Sequence, residues 1–270
     1  MSGFSYADLE ESFHKLRLDI SAAELAGIAE QEHYDERQLE AIGHVFEYLR
    51  EKKAETTIQT ILRLSRLPLK DLKTFENFDF SLIKGRDVDK LRTLPSLSAI
   101  YSHRNLAFIG PPGTGKTHLA QAFGYECCKK GLKTYFIKMS ELRDKFTNAR
   151  RTGKESSVLN GLVRPSCLII DEVGHCEFDK ENTRLFFDLI DRRYNKEGSY
   201  NIVFTSNKNP AVWRSNFNED DALLCALDRI FDDATVVNIK GDSYRGRNTE
   251  RLTVQSGRPK PERTAENPIT

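Results

Sequence analysis

Gly110-Pro111-Pro112-Gly113-Thr114-Gly115-Lys116-Thr117 is the stretch that decides the fold. It satisfies G-x-x-x-x-G-K-[ST], the spacing of a phosphate-binding P-loop, at every fixed position. Its flanks agree with that reading. Leu106-Ala107-Phe108-Ile109 is an apolar run that predicts a buried strand, and His118 to Lys130 predicts a helix. Glycine lets the backbone turn tightly enough for successive N–H groups to face phosphate oxygens. The start of the following helix adds partial positive charge at the same place. Lys116 is expected to reach the β- and γ-phosphates of a nucleotide, and the Thr117 hydroxyl to sit on Mg²⁺. The nucleotide contacts are therefore expected from Gly110, Pro111, Pro112, Gly113, Thr114, Gly115, Lys116, Thr117 and His118.

Downstream, Cys167-Leu168-Ile169-Ile170-Asp171-Glu172 puts two carboxylates after four apolar residues. Such a strand delivers acids at its C-terminal end, where open α/β sheets bind ligands. Asp171 is expected to hold Mg²⁺, and Glu172 to orient and activate an attacking water. This favours hydrolysis over phosphoryl transfer to a metabolite. A fourth apolar run ends in Phe204-Thr205-Ser206-Asn207, whose polar tip can reach the γ-phosphate or the water. Two arginines follow: Arg229 in Ala226-Leu227-Asp228-Arg229-Ile230-Phe231, at the end of a predicted helix starting near Glu219, and Arg245 in Gly241-Asp242-Ser243-Tyr244-Arg245.

Five short apolar runs (106–109, 134–137, 167–170, 202–205 and 235–239) alternate with helical stretches. That alternation predicts a parallel sheet covered on both faces. Residues 5 to about 67 instead carry only helical periodicity, as in Leu9, Phe13, Leu16 and Ile20, and Pro68 is expected to close the last helix. The chain thus divides into a small all-α N-terminal domain (1–67), a linker containing Phe75, Phe78 and Phe80 (68–84), an α/β nucleotide-binding domain (85–251) and a tail expected to be disordered (252–270). Aromatics at the linker's spacing are expected to pack on the core.

The net charge of +1 over 270 residues gives no global attraction to nucleic acid, so any such binding must come from local patches. Residues 1–49 hold three Lys/Arg against eleven Asp/Glu, whereas residues 50–73 hold seven against three. A second basic stretch comprises Arg143, Lys145, Arg150, Arg151 and Lys154. With Lys52 and Lys53 of the first stretch, these are the candidates for phosphate contact. No base-reading motif accompanies them, so salt-sensitive binding of weak sequence specificity is expected. No apolar run approaches a membrane span, and Met1 to Tyr6 lack a secretory pattern. Five cysteines without C-x-x-C fit reduced, cytoplasmic usage, and His175-Cys176 reads as a loop pair rather than a metal site.

The order of these features resembles the AAA+ ATPases of the IstB group, helpers of insertion-sequence transposition related to the helicase loader DnaC. The order is the loop 110–117, Asp171-Glu172, Thr205-Ser206-Asn207, Leu227-Asp228-Arg229 and Gly241-Asp242-Ser243-Tyr244-Arg245. The linker Phe75-Glu76-Asn77-Phe78-Asp79-Phe80 and Arg193-Tyr194 are also similar to that group, so the resemblance covers about residues 5–250. It implies Walker A and B roles for Lys116, Thr117, Asp171 and Glu172, a sensor role for Asn207, and a second sensor role for Arg245. It further implies that Arg229 is an arginine finger acting on a neighbouring subunit's ATP. The implied protein is an ATPase that self-associates into a ring or helix around duplex DNA and recruits or activates a transposase. With about thirty residues after the last strand, a full AAA+ lid does not fit, so the lid is expected to be reduced or absent. A helicase loader acting on single-stranded DNA is the alternative that the ATPase core leaves open. A small-molecule kinase would leave Asn207 and Arg229 without roles.

Overall fold

The computed structural model describes residues 5–218, 220–241 and 243. The expected tail and Arg245 lie outside the described residues.

Three helices open the chain: α1 (Tyr6–Leu16), α2 (Ala22–Gln31) and α3 (Glu36–Leu64). Reciprocal capping boxes start α2 (Ser21 with Glu24) and α3 (Asp35 with Gln38), each satisfying two otherwise unpaired N–H groups. Leu9, Phe13 and Leu25 form a small core of their own, with the Phe13 ring edge-on to Phe46 at 4.8 Å. The far end of α3 belongs elsewhere: Ile61 and Leu62 are buried in the main core together with Leu67. The helix ends at Leu64, four residues before Pro68, which was expected to close it. Two features stop it early. Arg66 takes a left-handed φ of 60°, and the buried Ser65 hydroxyl donates to the Leu62 carbonyl at 2.7 Å while accepting Leu67 N–H at 3.1 Å.

Short helices α4 (Val88–Arg92) and α5 (Ser98–Tyr101) lead into an alternating α/β unit. Its elements are β1 (Asn105–Ile109), α6 (Lys116–Lys129), β2 (Thr134–Lys138), α7 (Met139–Thr152), α8 (Glu155–Val163) and β3 (Cys167–Asp171). They continue through α9 (Lys180–Tyr194), β4 (Asn201–Ser206), α10 (Asp220–Asp232) and β5 (Ala234–Asn238). The strands form one parallel sheet in the order β2-β3-β4-β1-β5. This is the P-loop NTPase architecture of the AAA+ type, and each strand falls within one residue of its apolar run.

Side chains alternate along a strand, so each central strand feeds both faces. Ala107, Ile109, Leu168, Ile170 and Phe204 point to the face covered by α7 to α10. Leu106, Phe108, Ile169 and Val203 point to the face covered by α6, the end of α3 and the linker. Phe75 and Phe78 are buried there, with Phe80 packed against them, as expected of the linker aromatics. Among the described residues, no helix is long and apolar enough to cross a membrane.

Arg193 is the least expected core residue. It is 1% exposed, on the α9 face that also buries Phe186, Leu189 and Ile190. Its guanidinium donates to the carbonyls of Leu162, Val163 and Pro165 through Nη1 and of Ser166 and Asn201 through Nη2, at 2.7–3.1 Å. Two of these are unpaired carbonyls at the end of α8, and two flank the starts of β3 and β4. Burial pulls the guanidinium down to about 10, still charged at neutral pH. Arg193→Met keeps the hydrophobic stem but removes five hydrogen bonds, leaving Pro165 O with Lys196 Nζ and Ser166 O with Asn201 N–H as their remaining donors. It should lower unfolding stability by about 3 kcal/mol or more, read as a fall in the urea midpoint. An unchanged midpoint would show that this cage is not holding the α8–β3 and β4 junctions.

Candidate functional site

The sheet order assembles the site. With β4 between β1 and β3, the C-terminal ends of all three strands lie side by side, with Ile109 opposite Ser206 and Ile170 opposite Phe204. The loop 110–117, the two acids and Asn207 therefore meet at one edge, around a cavity of about 540 Å³, within the usual range for a ligand pocket.

The loop leads straight into α6, which starts at Lys116. Gly113 and Gly115 have φ of +77° and +89°, a region that L side chains rarely occupy. Neither has room for a Cβ: at Gly113 it would lie 2.0 Å from Ser243 Oγ, and at Gly115 2.8 Å from the Phe78 ring. Phe78 also stands edge-on to His118 at 5.0 Å. The linker thus forms one wall of the loop, and Pro68, Asp71, Lys73 and Asp79 join Phe78 in lining the cavity. His118 Nε2 donates to the Thr74 carbonyl at 2.8 Å. Burial holds this imidazole below its ordinary value, so it is neutral at pH 7 and braces the linker against α6. Lys116 is 6% exposed, and its Nζ donates to the Pro111 carbonyl at 2.6 Å.

Asp171 is buried at the end of β3. Its Oδ1 accepts from Thr117 Oγ1 at 2.8 Å and from Thr205 Oγ1 at 2.5 Å. Thr205 also accepts the backbone N–H of Glu172 at 3.0 Å. That bond helps hold Glu172 at a φ of +60°, a conformation costing about 1–3 kcal/mol in a non-glycine residue. The turn brings the Glu172 side chain to the mouth of the cavity, where its Oε2 lies 3.1 Å from Lys138 Nζ at the end of β2. Asn207 lines the same cavity, and its amide lies 3.1 Å from His175 Nε2. The roles of Thr205 and Lys138 were not foreseen. Lys138 pairs with Asp171 across the β2–β3 register, so a polar residue ending β2 was the available signal.

Arg229 does not join this group. It lines a separate cavity of about 320 Å³ with Arg193 of α9 and with Asn105, Ile202 and Asp233 at or beside the N-terminal ends of the strands. The length of β1, roughly 13 Å at 3.3 Å per step, separates it from the loop.

The basic candidates are scattered over α3 and α7. Buried Met139, Leu142, Phe146 and Ala149 form the inner face of α7 and leave its basic residues outward. Arg150 Nη1 lies 2.9 Å from Asp179 and also donates to Asn182. Arg143 pairs with Asp144 at 2.8 Å, and Arg151 donates to Asn148 at 3.0 Å. Lys145 lies 6.0 Å from the Tyr135 ring centre, and Lys154 is exposed at the start of α8. On α3, Lys52 pairs with Glu55 at 2.8 Å and Lys53 donates to the Leu16 carbonyl.

Sequence and structure comparisons show what this chain is similar to. The chain is 35% identical over 238 residues to the ATP-binding protein named for insertion sequence IS5376 of Geobacillus stearothermophilus, covering 88% of this chain and 93% of that one. It is 36% identical over 188 residues to the counterpart named for IS21 of Pseudomonas aeruginosa, covering 70% and 69%. Among solved structures, the DnaC helicase loader superposes with a TM-score of 0.53 at 21% identity, over 64% of this chain and 99% of that chain. AMPPCP-bound DnaA from Aquifex aeolicus gives 0.52 at 22% identity, over 64% and 51%. Identities this low speak for the fold alone. The model of the IstB-like ATP binding protein family matches residues 12–252, a span that runs from α1 through the loop, both acids and Arg229, and the chain belongs to that family.

Proposed function

We propose that this chain is an ATP-hydrolysing helper of transposition. It assembles on duplex DNA with ATP between subunits and recruits or activates a transposase. The observation that carries the reading is the separation of Arg229 from the loop 110–117 across the sheet. A protomer holds the phosphate cradle, the acids and Asn207 at one end and an arginine at the other, so two protomers are needed to surround one triphosphate.

Within the cradle, backbone N–H groups of the loop and Lys116 bind the phosphates. The Thr117 hydroxyl and the Asp171 carboxylate, joined at 2.8 Å, are hard oxygen donors suited to Mg²⁺. When bound there, Mg²⁺ neutralises charge on the transferring phosphate. Thr205 keeps Asp171 and the Glu172 backbone in place. Glu172 takes the proton of the attacking water, and Asn207 orients that water or the γ-phosphate by hydrogen bonding. Arg229 of the adjoining subunit stabilises the charge that develops on the phosphate. Duplex DNA would contact the basic surfaces of α7, around Arg143, Lys145, Arg150, Arg151 and Lys154, and of α3 at Lys52 and Lys53. The cytoplasm is the fitting compartment, and the five cysteines are free thiols.

The helicase-loader reading rests on the same ATPase core. Relatives aligned over most of the chain carry insertion-sequence names, which supports the transposition reading instead. The test is the mass of the assembly with ATP, with and without DNA. ATP together with duplex DNA should give a defined multi-subunit species larger than with either alone. A monomer under all conditions would overturn the reading, and assembly and ATPase stimulation by single-stranded DNA alone would hand it to the loader.

A further inference from the structure

Helices α9 and α10 meet around one guanidinium. Phe187, Asp191 and Tyr194 stand at i, i+4 and i+7 along α9 and so share one stripe of it. Arg229 of α10 lies across that stripe. Its Nη2 is 3.2 Å from Asp191 Oδ1, and its Cζ is 5.3 Å from the Phe187 ring centre and 6.0 Å from that of Tyr194. Its Nη1 donates to the Cys225 carbonyl one turn back at 3.3 Å.

Two other acids of these helices are engaged elsewhere. Asp188 is held by Arg192 through two bonds of 2.7 and 2.9 Å, and Asp232 accepts the Tyr194 hydroxyl at 2.8 Å. Asp191 is thus the carboxylate matched to Arg229. About a third of each side chain stays exposed, 31% for Arg229 and 37% for Asp191. The contacts restrain the guanidinium without enclosing it, and its rigid fork carries five N–H donors, more than the contacts to Asp191 and Cys225 engage.

We propose that Asp191, flanked by Phe187 and Tyr194, is the positioning residue for Arg229, presetting it for the phosphate held by the adjoining subunit. This rests on the reading of Arg229 as the residue that acts across the interface. A long surface side chain otherwise has to be ordered at the moment of contact, and a cradle built on a helix removes that cost beforehand. The helix is also well placed to serve as a base. Its N-cap, Asp179, accepts Asn182 N–H at 2.7 Å and lies eight residues beyond Asp171. α9 is thus the element that follows the acid pair in the chain, and it carries the three residues against which Arg229 lies.

The experiment uses mixed assemblies of full-length chains. Glu172→Gln subunits supply an intact arginine but no turnover, and Arg229→Ala subunits supply an intact pocket but no arginine. Mixed in equal amounts with ATP and duplex DNA, they should regain hydrolysis that neither shows alone. Failure to regain it would overturn the cross-interface reading of Arg229, and this proposal with it. Given the regain, Asp191→Asn in the arginine-supplying subunit should lower the restored kcat by about tenfold or more with KM for ATP unchanged. The same substitution in the Arg229→Ala subunit should change nothing. An unchanged or raised kcat in the first arrangement would overturn the proposal, the raised value meaning that Asp191 restrains the arginine. Equal losses in both arrangements, which a merely structural role would give, would also overturn it. Asp191→Glu in the supplying subunit should retain more of the restored rate than Asn, and a loss as deep would count against positioning.

Discussion

Glu172→Gln should bind ATP and DNA as the parent does while hydrolysing ATP roughly 10²–10⁴ times more slowly. The two side chains have nearly the same shape, so the difference isolates the basicity of one carboxylate. Glu172 sits at the mouth of the cavity next to Asp171, its N–H held by the Thr205 hydroxyl at 3.0 Å. That backbone contact survives the substitution, so the strained turn and the position of Asp171 should survive as well. What is lost is the acceptor for the water's proton, together with the ion pair to Lys138 at 3.1 Å. Because both partners of that pair are nearly half exposed, its loss should cost the fold less than about 1 kcal/mol. Single-turnover hydrolysis beside equilibrium nucleotide binding separates the two effects. Normal turnover in this variant would remove Glu172 from the chemistry.

The parts of this site that could be read in the sequence are those in which a local pattern and a chemical requirement coincide. Gly113 and Gly115 are needed both by the backbone conformation and by the crowding of Ser243 and Phe78. Asp171 and Glu172 stand where an apolar run stops. Contacts made by residues far apart in the chain were not legible in this way. Thr205 reads only as part of the polar tip before Asn207 until the sheet order sets it beside Asp171 and Glu172. Arg193 enters the sequence reading only as part of the Arg193-Tyr194 pair, since nothing nearby in sequence announces five carbonyls converging on it. Its place behind Phe186, Leu189 and Ile190 on the buried face of α9 was the one periodic clue. The end of α3 was read by the same logic as closing at Pro68. The stop is set earlier, at Ser65 and Arg66, because the chain must turn there to bring the Ser65 carbonyl onto Phe136 N–H of β2 at 2.7 Å.

Arg229→Ala should be the most damaging substitution for turnover and one of the mildest for the protomer. An arginine contacting the transferring phosphate is worth roughly 10³–10⁵ in rate. Within its own chain, Arg229 makes one partly exposed ion pair with Asp191, two ring contacts and an exposed 3.3 Å hydrogen bond to the Cys225 carbonyl. Losing these should cost about 1–2 kcal/mol at most, too little to unfold the domain. Nor should the isolated protomer bind ATP less well, because Arg229 faces a different cavity from the one lined by Lys116 and Thr117. The expected signature is therefore a collapse of kcat with the melting temperature and the protomer's ATP affinity nearly unchanged. For the unaltered chain, the proposed sharing of each site between two subunits predicts that specific activity rises with protein concentration. Hydrolysis by Arg229→Ala at the parent's rate would remove the arginine from the site. Activity of the parent that stays constant on dilution to monomer would place the whole reaction inside one chain, and the position of Arg229 at the N-terminal ends of the strands would then need an explanation other than catalysis.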